Sequence, residues 1–255
     1  MPRRKKKNTF QILFKIILWL CLIIGGVYYI SKIFLKQPHV FYPGFQIEIP
    51  NGYDIHGIDV SRYQGAVNWE EVKGMEVKGV KVGFAFIKAT EGTSIVDGQF
   101  RRNWLGAEQQ RIPKGAYHFF IPTRSAKKQA DNFIGIVSLK QGDMPPVLDV
   151  ETSRRVSIAE MRKAVKTWLD AVEDHYGVKP VIYTNVDFYQ KYFQTGFEEY
   201  PLWIAHYLQP DKPRIENKWM FWQHSEIGRV DGIKSPVDFN VFYGDSTNFY
   251  NFLIQ

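Results

Sequence analysis

The stretch Pro145-Pro146-Val147-Leu148-Asp149-Val150-Glu151 is a short apolar run ending in two acids that stand two residues apart. Side chains alternate across a β-strand, so Asp149 and Glu151 share one face if the run is extended. Crowded carboxylates repel one another when both are ionised, and one of them then tends to keep its proton near neutral pH. A protonated carboxylic acid is the group needed to hand a proton to a departing glycosidic oxygen. A strand end capped by two solvated acids fits this segment equally well, so the flanking sequence has to decide.

Working outward, short β-rich runs alternate with amphipathic stretches from about residue 54. The runs predict eight strands, at 55–60, 83–88, 114–120, 145–150, 181–183, 202–205, 220–223 and 237–241. Helices are predicted at 69–73, 100–111, 125–137, 157–175 and 186–192. Ser157 and Glu160 have the spacing of a capping box for the fourth helix. Leu169, Val172 and Tyr176 recur at helical spacing and should face the core. Alternation of this kind implies an α/β fold with parallel strands, and eight strands suggest closure into a barrel. Helices thin out after residue 192, so loops should join the last three strands and make the barrel irregular.

On this frame other acids fall where strands meet loops. Asp59 ends the first strand, in Gly57-Ile58-Asp59-Val60-Ser61. Polar groups end the second, in Phe84-Ala85-Phe86-Ile87-Lys88-Ala89-Thr90-Glu91-Gly92. Asp238 falls in Val237-Asp238-Phe239-Asn240, the last. Strand ends on one rim are where barrel enzymes carry their chemistry, and acids on several separate strands are harder to read as structural than a lone one.

These segments resemble glycoside hydrolase family 25, the Chalaropsis-type lysozymes. The resemblance is carried by residues 57–65 (Gly-Ile-Asp-Val-Ser-Arg-Tyr-Gln-Gly), 84–92, 115–119 (Gly-Ala-Tyr-His-Phe) and 146–151. Residues 202–207 (Leu-Trp-Ile-Ala-His-Tyr), Trp222-Gln223 and 238–240 complete it. It runs in order from about residue 57 to 243. It implies an irregular (β/α) TIM-like barrel that hydrolyses the β-1,4 bond between N-acetylmuramic acid and N-acetylglucosamine in peptidoglycan. Glu151 is implied as general acid, with Asp149, Asp59 and Asp238 as the other catalytic carboxylates. The family is similar to enzymes in which the substrate's own acetamido group attacks C1. Asp149 would then orient that group and Glu151 would later activate water; direct attack by water stays open. An inactive wall-binding module, or a hydrolase of another amino-sugar polymer such as chitin, are the alternatives.

Tyr63, Tyr117, Tyr183, Trp203, Tyr207 and Trp222 lie at or near strand ends. Aromatic rings can pack on sugar faces there, or simply fill the core. With Gln223 and Asn240 they form the expected substrate-binding set. His118 and His206 sit on separate segments without ligand spacing, and the resemblance implies no metal; no metal or cofactor is expected.

The 255-residue chain carries a formal net charge of +7. Residues 1–50 hold eight basic residues against Glu48, while the remainder balances 25 basic with 25 acidic residues. The basic character therefore belongs to the N-terminus, and a nucleic-acid footprint on the domain is not expected. A positive block at 3–7 precedes an apolar run at 10–30, long enough for a bilayer core. Positive charge on the near side keeps residues 1–9 in the cytoplasm and exports the rest. The expectation is a single-pass anchor in a bacterial cytoplasmic membrane with the domain outside; the rival is a cleaved signal sequence and a secreted domain. Residues 31–53, with several Pro and Gly, read as a tether, and 54–255 as the catalytic domain. Cys21 is the single cysteine, so no internal disulfide can form. A monomer is expected.

Overall fold

The structure, a computed structural model, describes residues 9–34 and 38–255. The basic block at 3–7 and residues 35–37 of the expected tether lie outside the described residues. The chain divides into two compact units, 1–38 and 39–255.

In the first unit, helix α1 (Thr9–Phe34) is 26 residues long. Its window Ile12–Tyr29 has a mean hydropathy of 2.2. At 1.5 Å per residue a helix of this length extends roughly 39 Å. It is long and apolar enough to cross a bilayer, and a signal sequence would meet the same test.

The second unit opens with an antiparallel hairpin, β1 (His39–Tyr42) and β2 (Ile47–Pro50). This segment was expected as tether. Instead, Phe45, Ile47 and Ile49 are buried, the Phe45 ring lies 5.0 Å from that of Phe239, and the Phe45 carbonyl accepts from the Arg229 N–H. The alternation Ile47-Glu48-Ile49 puts the two apolar side chains on one face.

The barrel follows. Strand β3 (His56–Val60) leads to α2 (Trp69–Gly74), then a small β4 (Glu76–Val77) and the long β5 (Val80–Glu91). After β6 (Ile95–Val96) come α3 (Phe100–Gln109), β7 (Lys114–Phe119) and α4 (Ala126–Ile134). Next are β8 (Val147–Asp149), α5 (Ile158–Tyr176), β9 (Val181–Asn185), α6 (Val186–Tyr192) and β10 (Leu202–Ala205). The chain ends with β11 (Phe221–Gly228), β12 (Val237–Phe242) and α7 (Ser246–Phe252).

Strands β3, β5, β7, β8, β9, β10 and β11 run parallel in that spatial order. Strand β12 closes the ring by pairing antiparallel with both β11 and β3. The eight expected strands are thus the barrel, and loops join the last three. Strand β8 is shorter than expected because Pro145 and Pro146 have no N–H to give a ladder. The predicted capping box is present: Ser157 Oγ accepts from the Glu160 N–H, and the Glu160 carboxylate accepts from the Ser157 N–H. Leu169 and Val172 are fully buried, and Tyr176 packs against the same core. The sixth helix of this unit, α7, was not expected. Its Phe249 packs on Phe84 and Phe242.

Strand alternation divides the apolar side chains into two cores. Phe84, Phe86, Val147, Val181, Trp203, Phe221 and Phe242 fill the barrel interior. Ile58, Ile87, Leu148, Ile182, Ile204, Phe239 and Val241 face the helices and the hairpin. The interior is crowded enough that a Cβ at Gly57 would sit 2.4 Å from the Phe84 ring. Aromatic rings therefore serve mostly as core. What the interior leaves open is its upper end, beyond the last apolar layer, where the strands' inward positions turn polar.

Candidate active site

That end holds a cavity of about 240 Å³. Asp59, Asp149, Glu151 and Asp238 all line it, with Tyr63, Tyr117, Tyr183, Trp203, Tyr207 and Gln223. Three come from inward positions on β3, β8 and β12. Glu151 lies two residues past β8, at the opening.

The antiparallel β12 changes one expectation. Asp238 is near the start of its strand, not its end. Because β12 runs the other way, its start meets the same rim, and Asp238 stands in register with Asp59.

Asp59 is the most heavily bonded of the four. Its Oδ2 accepts from Gln223 Nε2 at 2.9 Å and from Asn240 Nδ2 at 2.8 Å. A side-chain hydrogen bond also joins it to Asp238. Two carboxyls can bond this way only if one is protonated. The amide donors favour charge on Asp59, so Asp238 is the donor. Burial first, and then the charge of Asp59, raise its proton affinity. Gln223 is a hub: its Oε1 accepts from Tyr183 Oη at 2.8 Å and Tyr207 Oη at 2.7 Å.

Asp149 is buried, and its Oδ1 has no hydrogen-bond partner among the described residues. Burial, and next the charge of Glu151, lift its pKa well above the ordinary aspartate value. Glu151 is exposed as a residue, yet enough protein surrounds its carboxyl on the cleft side that burial raises its pKa too. Lys88 opposes the rise.

The expected substrate set divides. Tyr63 stands 74% exposed on the loop after β3 and forms an outer wall. Trp203 is floor, stacked on Phe86 at 4.2 Å and touching Tyr183 at 4.4 Å. Asn240 lies beneath the cavity, bridging Trp203 Nε1 at 2.7 Å to Asp59. Trp222 is not in the cleft. As the strand neighbour of Gln223 it faces outward, where it packs on Tyr53 and donates to the His206 carbonyl. His118 is bound in a buried network with Thr90 Oγ1 at 2.7 Å and Gln129 Oε1 at 3.2 Å. His206 lies apart, with Nδ1 accepting from the Arg214 N–H.

Sequence reasoning passed over Lys88, which lines the cavity beside Asp149 and Glu151. The signal was available: Phe84, Phe86 and Lys88 share one face of β5. A bulge after Lys88 then shifts the register and turns Thr90 toward His118.

A closed barrel with clustered carboxylates and aromatic walls at one rim defines a carbohydrate-cleaving enzyme. Comparison with known proteins makes this specific. The family model for glycosyl hydrolases family 25 matches residues 58–233, and the chain belongs to that family. It is similar to the Escherichia coli O6:H1 protein YegX, with 46% identity over 85% of this chain and 82% of that one. Lysozyme M1 of Streptomyces globisporus is 35% identical over 75% of this chain and 69% of its own length. A family 25 glycosyl hydrolase structure from Bacillus anthracis superposes with a TM-score of 0.75 at 33% identity, over 81% of this chain and 96% of that one. The chain is a glycoside hydrolase of the lysozyme type.

Proposed function

We propose that the enzyme cleaves the β-1,4 bond between N-acetylmuramic acid and N-acetylglucosamine in peptidoglycan, with Glu151 as general acid. The observation that carries this is the convergence of Asp59, Asp149, Glu151 and Asp238 on one cavity, with Glu151 at its mouth. Glu151 gives its proton to the departing O4 of N-acetylglucosamine. The acetamido oxygen of the muramyl residue attacks its C1 from the other face and closes a five-membered ring. The Glu151 carboxylate then takes a proton from water, water attacks C1, and the ring opens.

Participation of the acetamido group is favoured over direct attack by water because Asp149 offers a buried acceptor oxygen without a donor. The acetamido N–H supplies that donor. In the free cleft, burial favours the proton on Asp149. An N–H donated to Asp149 favours its ionised form, and a sugar covering Glu151 favours its protonated form. Substrate binding thus moves the proton to the residue that must give it. Asp59, fixed by Gln223 and Asn240, holds Asp238 in place and supplies negative charge to the oxocarbenium-like transition state.

Helix α1 would hold the hydrolase on the outer side of a bacterial cytoplasmic membrane, and the folded unit would begin at His39 rather than residue 54. Cell fractionation with protease protection tests the location. Mass analysis of peptidoglycan digests tests the bond: products should end in reducing N-acetylmuramic acid. Glu151→Gln should reduce their release by about 10²- to 10⁴-fold. Reducing N-acetylglucosamine ends, or an undiminished rate in the variant, would overturn the assignment. Faster cleavage of chitin oligomers than of peptidoglycan would favour the other amino-sugar polymer.

A further inference from the structure

Lys88 is the cation among the residues lining the cavity, where four carboxylates gather. Its side chain is 11% exposed, and its Nζ is 2.7 Å from Glu91 Oε2 and 4.7 Å above the Phe119 ring. An ammonium has three donors, and Glu91 takes one. Nearly buried, Lys88 is held at the wall by a partner and a ring rather than free to sweep solvent. Its charge acts on Asp149 and Glu151, while Asp238, on β12, feels the negative charge of Glu226 on the neighbouring β11. The cleft is therefore polarised, with its cation on the side of β5 and β8.

N-acetylmuramic acid and N-acetylglucosamine differ in one place: N-acetylmuramic acid carries a lactyl ether on C3, next to the acetamido group on C2. If Asp149 receives the acetamido N–H, the lactyl group is the neighbouring substituent, and it ends in a carbonyl or carboxylate. We propose that Lys88 binds the lactyl group of the muramyl residue and so selects muramyl over glucosaminyl sugars in the bond-cleaving position. This rests on the muramidase reading above and on the acetamido group lying at Asp149. Glu91 is then a positioning residue that holds the ammonium toward the cleft.

The test uses the full chain in detergent micelles and two disaccharides, N-acetylglucosaminyl-N-acetylmuramic acid with a free lactyl carboxylate and chitobiose. Dissociation constants are read by NMR titration. Wild type should prefer the muramyl disaccharide by about tenfold or more, the worth of a hydrogen bond to a charged group. Lys88→Met should lose that preference, with chitobiose affinity changed less than about twofold, inside the range of one weak contact. The double variant Lys88→Met/Glu91→Gln, which leaves no unpaired acid at the wall, should behave alike, and Lys88→Arg should keep the preference. Equal weakening of both sugars, or an unchanged preference, would overturn the inference. Either result could coexist with normal peptidoglycan cleavage, whereas a wild type that cleaves no peptidoglycan would remove the underlying reading.

Discussion

Gln223→Met removes the amide that ties three walls of the cleft together while nearly keeping its volume. Three hydrogen bonds go with it: to Asp59 at 2.9 Å, from Tyr183 at 2.8 Å and from Tyr207 at 2.7 Å. The bond to a carboxylate contributes about 1.5–3 kcal/mol, and stranding the buried Tyr183 hydroxyl costs about 1–3 kcal/mol. The Tyr207 hydroxyl can reach water, so its loss adds little. The expected destabilisation is about 3–5 kcal/mol, or roughly 10 °C in melting temperature for a unit of this size. Thermal and urea unfolding of the full chain in detergent would measure it. The design becomes decisive with Tyr183→Phe: costly in wild type, it should cost almost nothing in the Gln223→Met background, where its partner is gone. A loss below about 1 kcal/mol, or additive effects of the two substitutions, would refute the hub.

Three further outcomes are expected. The alkaline limb of the pH–rate profile should lie above the ordinary glutamate value, because Glu151 must be protonated and burial raises its pKa; a limb near pH 4 would contradict this. Asp238 binds its proton more tightly folded than unfolded, so its stabilising contribution is complete below about pH 4 and declines as pH rises through the raised folded value. Asp238→Asn keeps a donor toward Asp59 and cannot ionise, so the variant should gain on wild type as pH rises; parallel melting curves from acid to alkaline pH would count against the pairing. Phe45→Ala should destabilise the folded unit by about 3–5 kcal/mol, measured by urea unfolding, whereas a tether would tolerate it without change.

Much of this architecture could be read from residue order because inward and outward positions alternate. Val147-Leu148-Asp149 and Phe84-Ala85-Phe86 announce which face is the barrel's, and Ser157 with Glu160 announces a helix start. The same alternation could have excluded Trp222, since it and Gln223 are strand neighbours and cannot both face the cleft. Other features were less accessible. The direction of β12 leaves no mark in its composition, because Val237–Phe242 alternates alike in either sense. The hairpin was hidden by Pro43, Gly44 and Pro50, whose turn chemistry masks the Ile47/Ile49 face. Helix α7 had a signal, the Asp245 and Asn248 capping box, but its brevity hides helical periodicity. Lys88 carried a local signal, the face it shares with Phe84 and Phe86 and a glutamate three residues on, but only the closed barrel brings it beside Asp149 and Glu151 from another strand.

The closing seam of the barrel joins the beginning of the folded unit to its end. Asp59 on β3 takes its hydrogen bonds from Gln223 and Asn240, 164 and 181 residues later, and the Phe45 carbonyl awaits Arg229. During synthesis the first strands must therefore wait, unpaired on that side, until almost the whole polypeptide has been delivered. Such distant pairings slow folding. They also mean that a partly made chain has no working cleft, so a wall-cutting activity is switched on only by completion of its own C-terminal strands.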